Sequence, residues 1–119
     1  VFTPTSIVPQ AGVRFEGEFD GGIFSFRVNN TANMVTLKEI ILSKAQCKNG
    51  KTISDRLQFP VIAFPIENGR FTISLENAYV TGIFTTPTTA TGSLSVTVKA
   101  EKLTCEVGPV SWKAQAGGN

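Results

Sequence analysis

The feature that most constrains this chain is an alternation of apolar and polar residues with period two, repeated in short segments from residue 14 onward. In residues 14–20, Phe15, Gly17 and Phe19 fall on one face and Arg14, Glu16, Glu18 and Asp20 on the other. Successive strand side chains point to opposite sides of a sheet, so this pattern describes a strand with one buried face. Gly21-Gly22 follows, and residues 23–29 resume the alternation with Phe24, Phe26 and Val28 on one side, which predicts a tight hairpin.

The same reading continues to the end of the chain. Residues 34–44 fit either a helical or a strand period through Val35, Leu37, Ile40, Ile41 and Leu42, but their β-branched content and strand neighbours favour a strand. Asn49-Gly50 and Asn68-Gly69 are turn signals. Between them lie an alternating piece at 51–59 and an apolar piece at 61–64. Pro60 and Pro65 bracket that apolar piece and restrict it to an edge or a bulge, because proline donates no ladder hydrogen bond. Residues 70–76 place Phe71, Ile73 and Leu75 inward. Residues 79–85 do the same with Val80, Gly82 and Phe84, 92–100 with Leu94, Val96 and Val98, and 107–114 with Val110, Trp112 and Ala114. Thr86-Pro87-Thr88-Thr89 reads as a loop.

About eight short strands separated by Gly, Pro and Asn turns, with no convincing helix, predict an all-β fold, an antiparallel β-sandwich of jelly-roll-like character. Residues 1–12, with Pro4 and Pro9, read as an extended N-terminal arm, 13–116 as one domain and 117–119 as a flexible tail. At 119 residues such a domain buries enough surface for a core of its own. No apolar run approaches the roughly 20 residues of a spanning helix, so membrane insertion is not expected.

Charge and residue chemistry narrow the function classes. A net charge of +2, with basic residues scattered except for Lys44, Lys48 and Lys51, does not give the clustered basic face of a nucleic-acid binder. The chain contains no histidine, which removes Ser-His-Asp and Cys-His nucleophile systems and histidine-based metal centres. No catalytic residues are therefore expected. Glu16, Glu18 and Asp20 project from one strand face about 7 Å apart. Glu18 and Asp20 are thus the candidate metal ligands, for calcium, against the plainer reading of a solvated strand face.

Cys47 and Cys105 are the only cysteines and belong to no C-x-x-C motif, so a single disulfide is the expected pairing. It would close a loop of about 59 residues. It also suits a secreted or cell-surface protein, as does a sequence that starts at Val1 with no signal peptide.

For ligand recognition the candidates are Tyr79, whose neighbours Asn77 and Thr81 share its face, and the threonines Thr86, Thr88 and Thr89. Loops 48–51 and 85–91 are the places to expect a partner, a glycan or a surface protein. Trp112 alternates with Val110 and Ala114 and reads as core rather than as a sugar-stacking platform. Asn29-Asn30-Thr31 has the form of a glycan acceptor but reads as a turn. Phe2, Ile7 and Val8 of the arm offer a strand that could be donated to a neighbouring subunit, as in a self-assembling fibre.

The string Y-V-T-G-I-F-T-T-P-T-T-A-T-G-S-L at residues 79–94 resembles a pattern of small secreted bacterial β-sandwich domains. In these, a strand ending G-x-F is followed by a Thr/Ser-rich turn and a strand opening A-x-G. Gly17-Glu18-Phe19, Cys47, Cys105 and the V-S-W-K-A of residues 110–114 are similar features, and the resemblance covers most of residues 12–114. It implies an extracellular β domain and no particular activity. The expectation is a non-catalytic structural or recognition module, with a carbohydrate-binding module as the alternative and a fibre subunit after that.

Overall fold

The computed structural model describes residues 7–48, 50–100 and 103–117, with the side chains of residues 100 and 103 left aside. Among the described residues there is no helix and there are nine strands. They are β1 (Arg14–Phe19), β2 (Gly22–Val28), β3 (Met34–Cys47), β4 (Thr52–Gln58), β5 (Ala63–Glu67), β6 (Arg70–Ser74), β7 (Ala78–Thr86), β8 (Thr89–Ala100) and β9 (Leu103–Ala116). All pairings are antiparallel, giving the all-β, sandwich-like class expected from the alternation.

The connectivity is a meander that closes on itself. The sheet runs β2-β1-β9-β8-β7-β6-β5-β3-β4, and β2 also pairs with β3, which brings its two ends together. The closure depends on β3 being long enough for several neighbours. Residues Gly22–Val28 of β2 pair along its Val35–Leu42 stretch, while β5 pairs with Met34–Thr36 and β4 with Glu39–Gln46. At the far end Gln46 and Cys47 meet Glu106 and Cys105 of β9. Closing a sheet removes unpaired edges, and here β4 alone is paired on one side only among the described strands.

One core fills the interior. Phe15, Phe24, Phe26, Phe71, Phe84 and Trp112 are all buried and come from five strands on opposing walls. Their rings form a continuous cluster, with Phe24 edge-on to Trp112 at 4.9 Å and Phe15 stacked on Phe26 at 5.1 Å. Such pairings add to the area term of burial. The Cys47–Cys105 disulfide is formed between directly opposed residues of β3 and β9.

Several local expectations change. The first hairpin turns at Asp20-Gly21, because Gly22 already pairs with Phe19. Residues 86–89 are a two-residue turn in which Thr86 and Thr89 are in register, so they extend β7 and β8 instead of forming a loop. Pro65 lies inside β5 opposite Met34, and the next amide, that of Ile66, donates to the carbonyl of Asn33. The final strand starts at Leu103 rather than at 107, and Gly108-Pro109 crosses the β8–β9 ladder at an irregularity opposite Leu94–Val96.

The arm also differs from its expectation. Phe2 lies outside the described residues, but Ile7 packs on the core of its own domain and Pro9 is buried. The Gln10 amide donates to the Pro87 carbonyl at 2.8 Å, and Gly69 of the β5–β6 turn lies against the Ile7 backbone. Val8 stays exposed. This part of the arm packs within the fold of its own chain. At the other end Gly117 donates its amide to the Arg14 carbonyl at 2.9 Å, so the described part of the expected tail is tied to β1.

Candidate functional site: a groove across β1, β2, β8 and β9

Residues of β3, β2, β1, β9 and β8, with Thr85 of β7, come together in a half-open groove of about 690 Å³. Ligand sites commonly occupy roughly 300–1,000 Å³. Beneath it lies a row of small inward-facing residues, Gly17, Ala114 and Ala90, which are register partners on β1, β9 and β8. Small side chains on the inner face let the sheet settle toward the core, and the outer face becomes concave there.

Two cross-strand rows build the walls. One runs Glu39, Ser25, Glu16, Gln115, Thr89 across β3, β2, β1, β9 and β8. The other runs Ile41, Ile23, Glu18, Lys113, Thr91 across the same strands. Arg14 stands at the open end, and its guanidinium reaches back over β2 to Glu39 at 3.7 Å. Arg56 of β4 approaches the other oxygen of the same carboxylate at 3.6 Å. Glu39 is thereby fixed between two cations from different strands, which sets the orientation of an otherwise flexible side chain.

Most groove hydroxyls are occupied by the protein. Thr85 and Thr89 share a hydrogen bond of 2.7 Å, and Thr91 donates to the Trp112 carbonyl at 2.9 Å. Ser25 is the exception. It is only 2% exposed, it lines the groove, and its Oγ has no hydrogen-bond partner. Arg14 Nε is likewise buried and unpartnered, since Glu16 Oε1 lies 4.0 Å away. A second recess of about 400 Å³ lies on the far side of these residues and shares Arg14, Ser25 and Glu39 with the groove.

The residues singled out from sequence distribute unevenly around this site. Glu18 and Thr89 line it; Tyr79, Thr86, Thr88 and Asp20 do not. Tyr79 is 49% exposed on β7, opposite Ser95 and Ser74, away from the groove. Thr86 and Thr88 satisfy each other and Thr89 within the hairpin: Thr86 Oγ1 meets Thr89 Oγ1 at 2.7 Å and accepts the Thr88 amide at 3.2 Å. Trp112 is in the core, with its Nε1 unpartnered. Of loop 48–51, Asn49 lies outside the described residues, while the Lys48 amide donates to Thr104 and the Gly50 amide to Cys47.

Among the described residues no three His, Cys, Asp or Glu side chains converge to hold a metal ion. Asp20 has moved into the β1–β2 turn, off the ladder that carries Glu16 and Glu18. Asn29 is the hub of the β2–β3 turn. Its Oδ1 accepts the amides of Asn33 and Met34, and its Nδ2 donates to Asn33 Oδ1 at 2.7 Å.

Arg14, Ser25, Glu39 and Gln115 were missed by sequence reasoning. The available signal was a serine on the outward face of the Phe-rich segment 22–28, between Phe24 and Phe26. No helix among the described residues is long and apolar enough to cross a membrane. Comparison of the chain with protein-family models, with curated proteins and with solved structures finds no match.

Proposed function

We propose that this protein is a non-catalytic recognition module of a secreted or cell-surface protein, and that the groove across β1, β2, β8 and β9 is its binding face. The observation that carries the proposal is Ser25, a buried hydroxyl without a protein partner in the wall of a ligand-sized recess. Buried polar groups are nearly always hydrogen-bonded, so an orphan in a recess takes its partner from whatever fills the recess, water or a ligand.

The extracellular setting is supported by the Cys47–Cys105 disulfide and by the resemblance of residues 79–94 to secreted bacterial β domains. A binding role without chemistry is supported by the lack of histidine in the chain and by the use of Glu39 as an ion-paired anchor. The rigid closed sheet holds the groove in place before a ligand binds, which lowers the ordering cost of binding.

The test is a binding array of soluble and insoluble polysaccharides and extracellular matrix proteins. It compares the unaltered domain with Gln115→Trp, which fills the groove, and Tyr79→Ala, which alters the opposite region. Binding that Gln115→Trp abolishes and Tyr79→Ala leaves intact is expected. Binding indifferent to Gln115→Trp, or no binding at all, overturns the groove as the recognition face.

A further inference from the structure

Resting on the groove as the binding face, the geometry points to a neutral oligosaccharide as its ligand, read at one end by Arg14, Ser25 and Glu39. The lining carries two cations, Arg14 and Lys113, against three carboxylates, Glu16, Glu18 and Glu39. That balance opposes a polyanionic chain such as a polyuronate, a sulfated glycan or a nucleic acid, whose repeated charge would meet three carboxylates.

Donors and acceptors stand side by side on the walls at strand spacing, with Glu39, Ser25, Glu16 and Gln115 consecutive in one row and Glu18 beside Lys113 in the other. A sugar hydroxyl both donates and accepts, so a row of vicinal hydroxyls matches such a mixture, whereas a peptide backbone finds no free strand edge in the groove, because β1, β2, β3, β8 and β9 are each paired on both sides. Ile23 and Ile41, adjacent in register, give the C–H faces of a pyranose an apolar surface at the opposite row.

The Arg14 end is where selectivity resides. Glu39 is held by Arg14 and Arg56 as an ion-paired acceptor, and Ser25 Oγ and Arg14 Nε lie beside it without hydrogen-bond partners. One sugar hydroxyl placed there satisfies Ser25 while a second, vicinal one accepts from Arg14 and donates to Glu39. A sugar lacking either hydroxyl leaves buried groups unpaired, and that asymmetry discriminates more strongly than an added contact does.

The experiment is titration calorimetry of the intact domain with cellohexaose, xylohexaose, mannohexaose and maltohexaose, and with polygalacturonate as the charged counterpart. At least one neutral oligosaccharide is expected to bind. Ser25→Ala should weaken that binding by about five- to tenfold, roughly the worth of one hydrogen bond. Its melting temperature should stay equal or rise, because the substitution removes a buried unsatisfied hydroxyl. Arg14→Lys, which keeps the charge and loses the planar donor fork, should weaken binding with its ion pair to Glu39 retained.

A fall in melting temperature with unchanged affinity in Ser25→Ala assigns Ser25 a structural role and overturns the inference. Binding to polygalacturonate alone, or to none of the five sugars, also overturns it. In either of those cases a matrix-protein signal that Gln115→Trp abolishes leaves the groove standing as a recognition face, so the two failures are distinguishable.

Discussion

The indole of Trp112 lies against the Cα of Gly82, so closely that a methyl group at residue 82 would stand 2.7 Å from ring carbon Cζ2. Phe71 crowds the same point from the neighbouring strand. Glycine at this strand position is thus a packing requirement set by Phe71 and Trp112 together. Gly82→Ala should destabilise the domain by about 1–3 kcal/mol, the usual result of overpacking. Urea denaturation followed by the fluorescence of the one tryptophan measures it, and an unchanged midpoint would refute the packing argument.

Trp112 itself gives a graded pair. It is 1% exposed and its Nε1 finds no acceptor, so its contribution is entirely apolar. Trp112→Ala should cost about 3–5 kcal/mol through the cavity it leaves. Trp112→Phe keeps a ring edge-on to Phe24 and removes an orphan donor, and should cost less than half as much. Thermal melts of the two variants side by side decide between this ordering and one in which both are equally disruptive.

Cys47 and Cys105 are 58 residues apart in sequence and join β3 to β9 just beyond the β1–β2 turn, where the Ser43 and Lys44 amides donate to the Gly21 carbonyl. The chain-entropy account values a loop of this size at roughly 4 kcal/mol. The double variant Cys47→Ala with Cys105→Ala should remain folded at low temperature with a lower melting point. Reduction of the unaltered protein should give the same shift, and no shift under reducing conditions would show that the link does not constrain the unfolded chain.

Removal of residues 1–10 should lower stability without altering mass in light scattering. Ile7 and Pro9 leave the core surface and the Gln10–Pro87 hydrogen bond is lost, for a cost of about 1–2 kcal/mol. A loss of oligomers on truncation, with stability unchanged, would instead favour the donated-strand use of the arm.

Asn29→Ala should cost about 1–2 kcal/mol by leaving the amides of Asn33 and Met34 without their acceptor. Chemical denaturation checks this. Because Nδ2 of Asn29 is already committed to Asn33, the turn reading of Asn29-Asn30-Thr31 has a definite mechanism.

Much of the fold is readable from the chain because its information is local. Alternation in residues 14–19, 22–28 and 92–98 places Phe15, Phe24, Phe26, Leu94, Val96 and Val98 inward, and all are buried. Reading fails where two rules compete. Gly108-Pro109 breaks the pattern of β9, so Leu103 to Glu106 lose their periodic context although Cys105 is wholly buried. Pro65 carries the signature of a breaker, yet the ladder at that point is made by Ile66.

The groove is harder to foresee for a different reason. Arg14 and Gln115 are 101 positions apart and become neighbours only because β9 lies beside β1. Nothing periodic in either segment specifies that adjacency. Tyr79, the more conspicuous residue, drew the expectation because exposed aromatics are recognisable singly, whereas a site made of common polar residues is recognisable only as a set.

The pairing of β1 with β9 also sets how the domain yields to mechanical load. Phe15 opposes Ala116 and Phe19 opposes Trp112, so the two strands meet at the points where the described chain enters and leaves the sheet. Tension drawn through Arg14 and Gly117 loads their hydrogen bonds one after another, as a zipper, and not all at once in shear. Opening then travels inward until it meets the Cys47–Cys105 bond, beyond which the 58-residue span cannot lengthen. Under pull the domain is a soft latch in series with a fixed stop.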